Sequence, residues 1–347
     1  MADNDNILIQ VKDLKIHFFT NEGTVRAVDG VTFDIRSGKT LCVVGESGCG
    51  KSVTARALLQ IVHRPGKIVD GDIIMYRKKG QNQIEEIHIS DMEPKGRAIR
   101  AVRGKEISMI FQEPMTSLSP MYTVGNQIME TIMLHTSVDK KQARERALEM
   151  LGFVGIPRPE RIVDEYPFRL SGGMRQRAMI AMALSCNPSL LIADEPTTAL
   201  DVTTQAQIID LMQGLQKDYD MGILFITHDL GVVAEIADNV AVMYLGNVVE
   251  YSDIHTIFND PQHPYTQSLL RSIPKVTATR EKLEVIEGMV PSPFRRPSGC
   301  PFHPRCTKAM PVCSKIEPKT ISLNENHQVH CLLFDDDVKN SMRGMAS

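Results

Sequence analysis

The sequence has no long apolar run. Across its 347 residues, no segment of about 18 apolar residues without charges occurs, so no membrane-spanning helix is predicted. A positive net charge is also missing, since the formal charge is −3, and this argues against a broad nucleic-acid-binding surface. The first residues, up to Asn6, are acidic and polar, unlike a signal peptide. These absences predict a soluble cytosolic protein, and the length allows about two domains.

Cysteine is scarce over most of the chain and concentrated near its end. Three cysteines are isolated in the front part: Cys42, Cys49 and Cys186. The other four are Cys300, Cys306, Cys313 and Cys331. This asymmetry favours a metal or cluster site over the disulfide framework of a secreted protein. The spacing, C-x5-C-x6-C-x17-C, contains neither the C-x2-C pair of a zinc ribbon nor the run of a bacterial ferredoxin. The four late cysteines nevertheless offer four soft ligands for a metal or cluster. The alternative is that they are reduced thiols that bind no metal.

A glycine-rich stretch from Gly45 to Ser52 matches the pattern G-x-x-x-x-G-K-[ST] in full. An apolar β-type run, Thr40–Val44, precedes it, and the run from Val53 to Val62 can form a helix with an apolar face. Strand, glycine loop and helix together predict a phosphate-binding loop, in which backbone N–H groups and the helix N-terminus surround phosphate oxygens. The residues assigned here to nucleotide binding are Gly45, Ser47, Gly48, Cys49, Gly50, Lys51, Ser52 and Val53.

Two of these side chains have defined expected roles. We expect Lys51 to reach the β- and γ-phosphates of a nucleoside triphosphate and the Ser52 hydroxyl to bind Mg²⁺. A second group of polar residues ends the apolar run that begins at Leu190, where Asp194 and Glu195 are adjacent. Asp194 is expected to hold Mg²⁺ through water, and Glu195 to polarise the attacking water as a general base. The alternative is a helix-capping or salt-bridged acidic pair.

The segment from Leu170 to Arg177 predicts a second anion-binding helix N-terminus. Ser171 and two glycines open a helical run that continues to Leu184, and such a start offers a hydroxyl and free N–H groups to a phosphate. One nucleotide rarely needs two sites of this kind from one chain. Ser171 and Gly173 are therefore expected to grip the γ-phosphate bound to a partner subunit, although an ordinary N-cap is the alternative.

These motifs resemble those of the ATP-binding-cassette (ABC) ATPases, whose signature reads L-S-G-G-Q. Met174 stands here in place of the usual glutamine, while the serine and both glycines are intact. The resemblance covers about residues 7–255 and implies further roles in the same order along the chain. Gln112 would contact Mg²⁺ and the attacking water and sense the transport partner. His228 would contact the γ-phosphate.

The resemblance also implies a composite site between two cassettes. In this family two cassettes close head to tail around two ATP molecules, and hydrolysis reopens them. Asp201, in the segment Ala199-Leu200-Asp201, would lie at that dimer interface. Phe18 matches the aromatic residue that stacks on the nucleotide base, with Phe19 as an alternative. Both phenylalanines can equally be core residues when their spacing alone is considered.

The order of strand and helix signals predicts an α/β protein with a mostly parallel sheet around a P-loop (RecA-like) core. Alternating runs over residues 7–44 predict an N-terminal antiparallel β layer, and runs on either side of Gly246 predict a hairpin. Residues 113–175 are rich in helix formers and broken by prolines, which predicts a helical insert. The predicted division is an ABC ATPase domain at 1–258 and a small Cys-rich C-terminal extension at 259–347.

The extension narrows the resemblance to one branch of the family. His263-Pro264-Tyr265-Thr266 and the segment from Gly299 to Cys306 resemble the peptide/nickel-type uptake ATPases. Members of that branch power import of di- and oligopeptides, and relatives move nickel, glutathione or oligosaccharides. The resemblance implies three kinds of partner: a second ABC ATPase subunit that is a paralogue, two transmembrane permease subunits, and an extracytoplasmic solute-binding protein. It places the chain peripherally on the cytoplasmic face of a bacterial membrane.

Some members of that branch carry a [4Fe–4S] cluster in the extension. The resemblance therefore implies such a cluster on the four late cysteines, with a structural role. A zinc site remains an alternative, because His303 and His330 are also available as ligands. The alternative function for the whole chain is a soluble ABC ATPase acting on nucleic acid or ribosomes. That class is expected to show two cassettes in one chain, a coiled-coil insert or strongly basic linkers, and none is visible here.

Overall fold

The computed structural model describes residues 6–79, 83–112, 117–198, 200–273 and 286–345. Part of the predicted helical insert (113–116), Ala199 of the predicted dimer-interface segment, and part of the C-terminal extension (274–285) lie outside these residues. Within the described ranges, no helix combines the length and the apolar character needed to cross a membrane.

The strands of the described residues, in chain order, are β1 (Ile7–Thr20), β2 (Gly23–Arg36), β3 (Thr40–Val44), β4 (Gly66–Lys79), β5 (Gln83–His88), β6 (Ile107–Ile110), β7 (Leu190–Asp194), β8 (Gly222–Ile226), β9 (Asn239–Tyr244), β10 (Asn247–Asp253), β11 (Thr320–Asn324) and β12 (His327–His330). The helices are α1 (Lys51–Ala57), α2 (Arg97–Val102), α3 (Val124–His135), α4 (Lys140–Phe153), α5 (Pro159–Ile162), α6 (Gly172–Leu184), α7 (Val202–Tyr219), α8 (Leu230–Ile236), α9 (Ile254–Asn259), α10 (Pro264–Arg271) and α11 (Asp336–Met345).

An eight-stranded sheet forms the centre, in the order β11-β12-β10-β9-β3-β8-β7-β6. The five strands from β9 to β6 are mutually parallel, which confirms the prediction of a mostly parallel core. Every residue of β3, β7 and β8 is buried, because the antiparallel β layer and α1 cover one face of the sheet and helices that include α6 and α7 cover the other. The carboxyl ends of these three strands share one edge, so the residues that follow them meet there.

The predicted antiparallel layer is present as a four-stranded sheet in the order β2-β1-β4-β5. The alternating runs before residue 37 form two long strands and not several short ones. Strands β1 and β2 are 14 residues long each and pair over most of that length. Their pairing shifts register between Val11 and Leu14, where Asp13 has a φ of 45°. A β-bulge therefore absorbs the break in alternation without ending the strand.

The helix after the glycine loop is shorter than predicted, because α1 ends at Ala57 and the predicted run continued to Val62. The chain turns at Gln60, whose φ is 53°. The Arg103 guanidinium, well separated in sequence, donates hydrogen bonds to the carbonyl oxygens of Leu59 (2.7 Å) and Gln60 (2.9 Å). These carbonyl groups accept hydrogen bonds from a side chain and not from the backbone N–H groups of a longer helix, so α1 ends early.

The helical insert is described from residue 117 onward and contains α3 to α5 and the start of α6. Side-chain caps define where its helices begin. Thr123 accepts from the Asn126 N–H at the start of α3, and Asp139 forms a reciprocal capping box with Gln142 at the start of α4. The prediction of a helical segment here is confirmed for these residues.

The C-terminal extension joins the central sheet. Strands β11 and β12 form an antiparallel hairpin, and β12 pairs with β10 at Glu250–Val329 and Tyr251–Gln328. The buried Glu250 carboxylate accepts from the backbone N–H groups of Gln262 and His263 and lies 2.8 Å from His327 Nε2. The division of the chain at 258/259 stays a prediction, but the extension continues the core sheet.

Candidate functional site

The glycine loop lies between β3 and α1, at the carboxyl edge of the parallel sheet. A Cβ at Gly45 would lie 2.2 Å from the Met243 carbonyl oxygen, and one at Gly50 would lie 2.3 Å from that of Ala27. Both glycines also have positive φ, so these positions exclude other residues. Apart from the two adjacent residues, no atom of the described residues lies within 4 Å of the Cβ position at Gly48. The loop is therefore fixed at its two ends and open on the side where a phosphate chain would lie.

Lys51 is buried and folds back into the loop that precedes it. Its Nζ donates hydrogen bonds to the carbonyl oxygens of Gly45 (2.8 Å) and Glu46 (3.2 Å). The ammonium group is thereby held over the concave side of the loop. A cation in this place can exchange loop carbonyls for phosphate oxygens.

Ser52 and Asp194, 142 residues apart in sequence, meet at the sheet edge. The Ser52 hydroxyl donates to Asp194 Oδ1 at 2.8 Å. The Asp194 side chain is fully buried, and among the described residues its Oδ2 has no hydrogen-bond partner. Burial raises the pKa of this carboxyl, and the Ser52 hydrogen bond partly offsets the rise. A buried carboxylate oxygen without a donor is what a cation would satisfy, so this pair fits Mg²⁺.

Glu195 follows Asp194 in a left-handed backbone conformation, with a φ of 49°. Its backbone N–H donates to the Ile226 carbonyl of β8 at 2.9 Å. The Gln112 amide donates to Glu195 Oε2 at 3.1 Å, and Thr198 Oγ1 donates to the same oxygen at 3.0 Å. A strained backbone that aims a carboxylate into a cleft is typical of catalytic residues.

His228 lies on the other side of this carboxylate. Its Nδ1 is 3.4 Å from Glu195 Oε1. The structure therefore brings together five of the residues selected from the sequence: Ser52, Gln112, Asp194, Glu195 and His228. They come from four segments of the chain: Asp194 ends β7 and Glu195 follows it, and the other three residues follow β3, β6 and β8.

Ser171 and Gly173 lie at the start of α6. The Ser171 hydroxyl accepts from the Met174 N–H at 3.3 Å as an N-cap, and a Cβ at Gly173 would contact Thr204 Cγ2 at 3.2 Å. Asp201 caps the start of α7, where its carboxylate accepts hydrogen bonds from the N–H and the hydroxyl of Thr204. The predicted signature segment and the predicted interface residue Asp201 thus lie side by side.

This second group is separate from the glycine loop. Among the described residues, no hydrogen bond joins Ser171–Gly173 to Lys51 or Ser52. Open space lies beside Gly172, and Val202, next to Asp201, has 83% of its side chain exposed. A helix N-terminus that points to solvent beside an exposed apolar side chain is suited to a contact with another chain.

The two candidate base-stacking residues differ in their surroundings. Phe18 is half-buried, with its ring against the backbone of Gly66, where a Cβ would approach Cε1 at 2.7 Å. Phe19 is 48% exposed and makes an edge contact with His17. Both rings lie near the end of β1 on opposite faces of the strand.

Of the four late cysteines, Cys300, Cys313 and Cys331 are buried and Cys306 is half-buried. The Cys300 N–H donates to the Cys313 carbonyl at 2.8 Å, and Cys313 Sγ accepts from the Met310 N–H. Burial raises the pKa of Cys331 to about 12, and the thiols of the other three cysteines contribute to the rise. Within the described residues, however, no group of three or more Cys, His, Asp or Glu side chains has the arrangement of a metal site.

A contact that sequence reasoning missed joins the extension to the glycine loop. Arg305 forms a two-point ion pair with Glu46, at 2.7 and 3.1 Å, and the Glu46 N–H donates to the Tyr265 hydroxyl at 3.0 Å. Tyr265 belongs to the H-P-Y-T run, which the sequence marked only as a family feature. Glu46 occupies a variable position of the glycine loop, and Arg305 lies 259 positions later. No pattern of neighbouring residues in the sequence indicates this pair.

Comparison with known proteins places these motifs in a family context. A family model described as "ABC transporter" matches residues 28–198, and one described as "Oligopeptide/dipeptide transporter, C-terminal region" matches residues 249–313. The oligopeptide transport ATP-binding protein AppD of Bacillus subtilis is 49% identical over 331 residues, with 95% of this chain and 98% of AppD covered. The dipeptide transport ATP-binding protein DppD of the same organism is 46% identical, with 96% and 97% covered.

Solved structures agree on the fold. The dimeric structure of MJ0796, a bacterial ABC transporter cassette, aligns with a TM-score of 0.61 at 25% identity and covers 71% of this chain and 99% of that one. CbiO1 from Clostridium perfringens, part of an ABC transporter complex, aligns with a TM-score of 0.60 at 25% identity and covers 74% and 92%. The predicted P-loop α/β architecture is thereby confirmed.

Proposed function

The chain belongs to the oligopeptide/dipeptide importer family of ABC transporter ATP-binding proteins, and on this premise we propose that it hydrolyses ATP to power uptake of di- or oligopeptides. The observation that carries the proposal is the meeting of Ser52, Asp194, Glu195, Gln112 and His228 at one edge of the sheet. Relatives named for peptide transport span nearly the whole chain, which favours a transporter subunit over a soluble ATPase acting on nucleic acid or ribosomes.

The proposed reaction uses these residues in separate roles. Backbone N–H groups of the glycine loop and Lys51 hold the phosphate chain of ATP; Ser52 and Asp194 would hold Mg²⁺, which would neutralise charge on the phosphates. Glu195 accepts a proton from water as the water oxygen bonds to the γ-phosphorus and the bond to the β–γ bridging oxygen breaks. Gln112 and His228, which flank the Glu195 carboxylate, orient the water and the γ-phosphate.

We further propose that the site is completed by a second ATPase subunit, which the family resemblance suggests is a paralogue. Ser171, Gly173 and Asp201 share one face and would contact the nucleotide held by the partner's glycine loop. The dimeric state of the MJ0796 cassette supports this arrangement. Closure over two ATP molecules would then couple nucleotide binding to movement of the membrane subunits.

Membrane permease subunits are the proposed partners of the helical insert, at the cytoplasmic face of the membrane. Large apolar side chains of the insert are exposed: Met121, Tyr122, Leu134 and Phe168. Phe111, next to Gln112, is also more than a third exposed. Exposed apolar side chains near a catalytic residue provide a surface through which a partner can influence hydrolysis.

The test of the substrate class uses the assembled transporter. The chain is copurified with its membrane subunits and solute-binding protein, reconstituted in vesicles, and assayed for ATP hydrolysis with each candidate solute. We expect di- or oligopeptides to stimulate hydrolysis several-fold, and nickel, glutathione and oligosaccharides to have no effect. Stimulation by one of the other solutes alone would reject the peptide assignment and retain the ATPase assignment.

Base stacking by Phe18 gives a separate prediction. The substitution Phe18→Ala should weaken ATP binding about tenfold, since loss of one aromatic stacking contact costs about 1–3 kcal/mol per base. Phe19→Ala is the matched control and should change the affinity less than twofold. Equilibrium titration of the full chain with a fluorescent ATP analogue measures both. The opposite order would assign the base contact to the more exposed Phe19.

For the extension we propose a [4Fe–4S] cluster held by Cys300, Cys306, Cys313 and Cys331, in a structural role. The family resemblance and the N–H donated to Cys313 Sγ support it, because cluster sulfurs commonly accept such hydrogen bonds. When bound, the cluster would cross-link a segment too short to build its own core.

Anaerobic purification tests this cluster. The protein should be brown, with absorbance near about 400 nm from the thiolate-held iron, and with about four irons per chain. Cys331→Ser should remove the colour and lower the melting temperature, whereas Cys186→Ser, at a half-buried cysteine outside the extension, should retain both. A colourless protein with stoichiometric zinc would contradict the assignment.

A further inference from the structure

We propose that Arg305 and Tyr265 of the C-terminal extension are positioning residues for the ATP-binding loop, and that Arg305 neutralises Glu46 so that the loop accepts a polyphosphate. This inference rests on the proposed ATPase function and adds residues outside the cassette motifs to it. Both act on Glu46, which directly follows Gly45 at the start of the glycine loop.

The first step of the argument is electrostatic. A carboxylate inside a phosphate-binding loop repels the phosphate chain, because like charges raise each other's free energy most strongly where water is scarce. The Arg305 guanidinium meets both Glu46 oxygens, at 2.7 and 3.1 Å, and only 4% of the Arg305 side chain is exposed. The Glu46 side chain is 27% exposed, so the ion pair is partly buried; two-point pairs of this kind are among the stronger polar contacts in proteins. Arg305 thus removes a charge that would oppose ATP.

Arg305 is itself held in place by the extension. Its Nε donates to the Glu287 carbonyl at 3.2 Å, and its backbone N–H donates to the Phe302 carbonyl at 3.0 Å. The guanidinium carbon lies 5.9 Å from the centre of the Tyr244 ring, within cation–π range. The next residue is Cys306, one of the four late cysteines. The position of the guanidinium therefore depends on the folded extension.

The second step concerns the backbone of the loop. The Glu46 N–H donates to the Tyr265 hydroxyl at 3.0 Å, so this N–H is directed to the extension and the second residue of the loop is anchored from outside. Tyr265 is fully buried and packs with Tyr244 and Phe302 at ring distances of 4.8 and 5.3 Å. Tyr244 ends β9, so the anchor is built on the core sheet. Such an anchored loop loses less conformational freedom when ATP binds.

A second buried arginine in the extension provides a matched control. Arg296 pairs with Asp29 at 2.7 Å and also donates to Asn247. Arg296 thus connects the extension to the antiparallel layer, whereas Arg305 connects the extension to the glycine loop. Loss of either arginine removes a partly buried ion pair, but only Arg305 pairs with a residue of the glycine loop.

The experiment measures ATP affinity of the full chain with a fluorescent ATP analogue and Mg²⁺, and melting temperature on the same samples. Arg305→Met should weaken binding about tenfold, since an unpaired carboxylate then faces the phosphates. Arg296→Met should lower the melting temperature by a similar amount and change affinity less than twofold. Tyr265→Phe, which deletes only the hydroxyl, should weaken binding about threefold to fivefold. In the reconstituted transporter, Arg305→Met should raise KM for ATP and leave kcat within about twofold.

The charge argument is tested by a rescue. Glu46→Gln removes the repelling charge, so the double variant with Arg305→Met should recover affinity to within about twofold of the unmodified chain. Equal weakening in the single and double variants would overturn the electrostatic role, and unchanged affinity in Arg305→Met would overturn the inference as a whole. If Arg305→Met does not fold, Tyr265→Phe and Glu46→Gln decide the same question. Failure of the unmodified chain to bind ATP would instead reject the proposed function.

Discussion

Replacing Glu195 with glutamine is expected to lower ATP turnover of the reconstituted transporter about a thousandfold while ATP still binds. The carboxylate is the group at the sheet edge that can accept a proton from water, and loss of a general base typically costs a factor of about 10²–10⁴. Glutamine keeps the shape and the hydrogen bond from Gln112, which the glutamate accepts at 3.1 Å. ATP therefore persists in the site, and the two cassettes should accumulate in the closed state.

Steady-state hydrolysis and retained nucleotide are both measured for this variant. Glu149→Gln is the control, because Glu149 is an exposed carboxylate paired with Arg146 on α4; its turnover should match that of the unmodified chain. Near-normal turnover of Glu195→Gln would remove the role assigned to Glu195. The neighbouring Asp194, whose buried Oδ2 has no hydrogen-bond partner in the part of the chain that the structure describes, would then be the next candidate for the general base.

Replacing Ser171 with arginine should lower ATP turnover of the assembled transporter at least about a hundredfold, without weakening ATP binding to the isolated chain. Removal of one preorganised donor to a reacting phosphate costs about 10²–10³ in rate, and arginine also adds bulk at the proposed subunit contact. Ser171 lies at the solvent-facing start of α6, and its hydroxyl accepts from the Met174 N–H within its own helix. The residues that bind ATP in the same chain are therefore unaffected.

The matched control for this prediction is Met174→Gln, which restores the residue usual in the family signature. Turnover should change less than twofold, since Met174 contributes its backbone N–H to the Ser171 cap and glutamine retains that group. The decisive comparison is between ATP affinity of the isolated chain and turnover of the assembled transporter. A parallel loss of both in Ser171→Arg would mean that one chain contains the whole site.

Each site motif was recognisable in the sequence because its parts are adjacent along the chain. A strand followed by a glycine loop and a helix, or a strand that ends in two acids, places its residues at the sheet edge by local geometry alone. Helix ends were predicted less well, as α1 shows. Its end depends on Arg103, whose guanidinium reaches the carbonyl groups of Leu59 and Gln60 from a distant segment. Nothing in the local pattern carries that information.

Short continuous segments of the sequence indicated the chemistry: a phosphate-binding loop that ends in the serine proposed to hold a metal, and a strand end with the proposed metal-binding aspartate beside a candidate general base. How these segments are supported became visible in the fold. The pairing of β12 with β10 makes the extension part of the core sheet, and the contact of Arg305 with Glu46 joins residues 259 positions apart. The physical reason is that long-range ion pairs and strand pairings depend on how the whole chain packs, whereas loop and strand-end geometry follows from neighbouring residues.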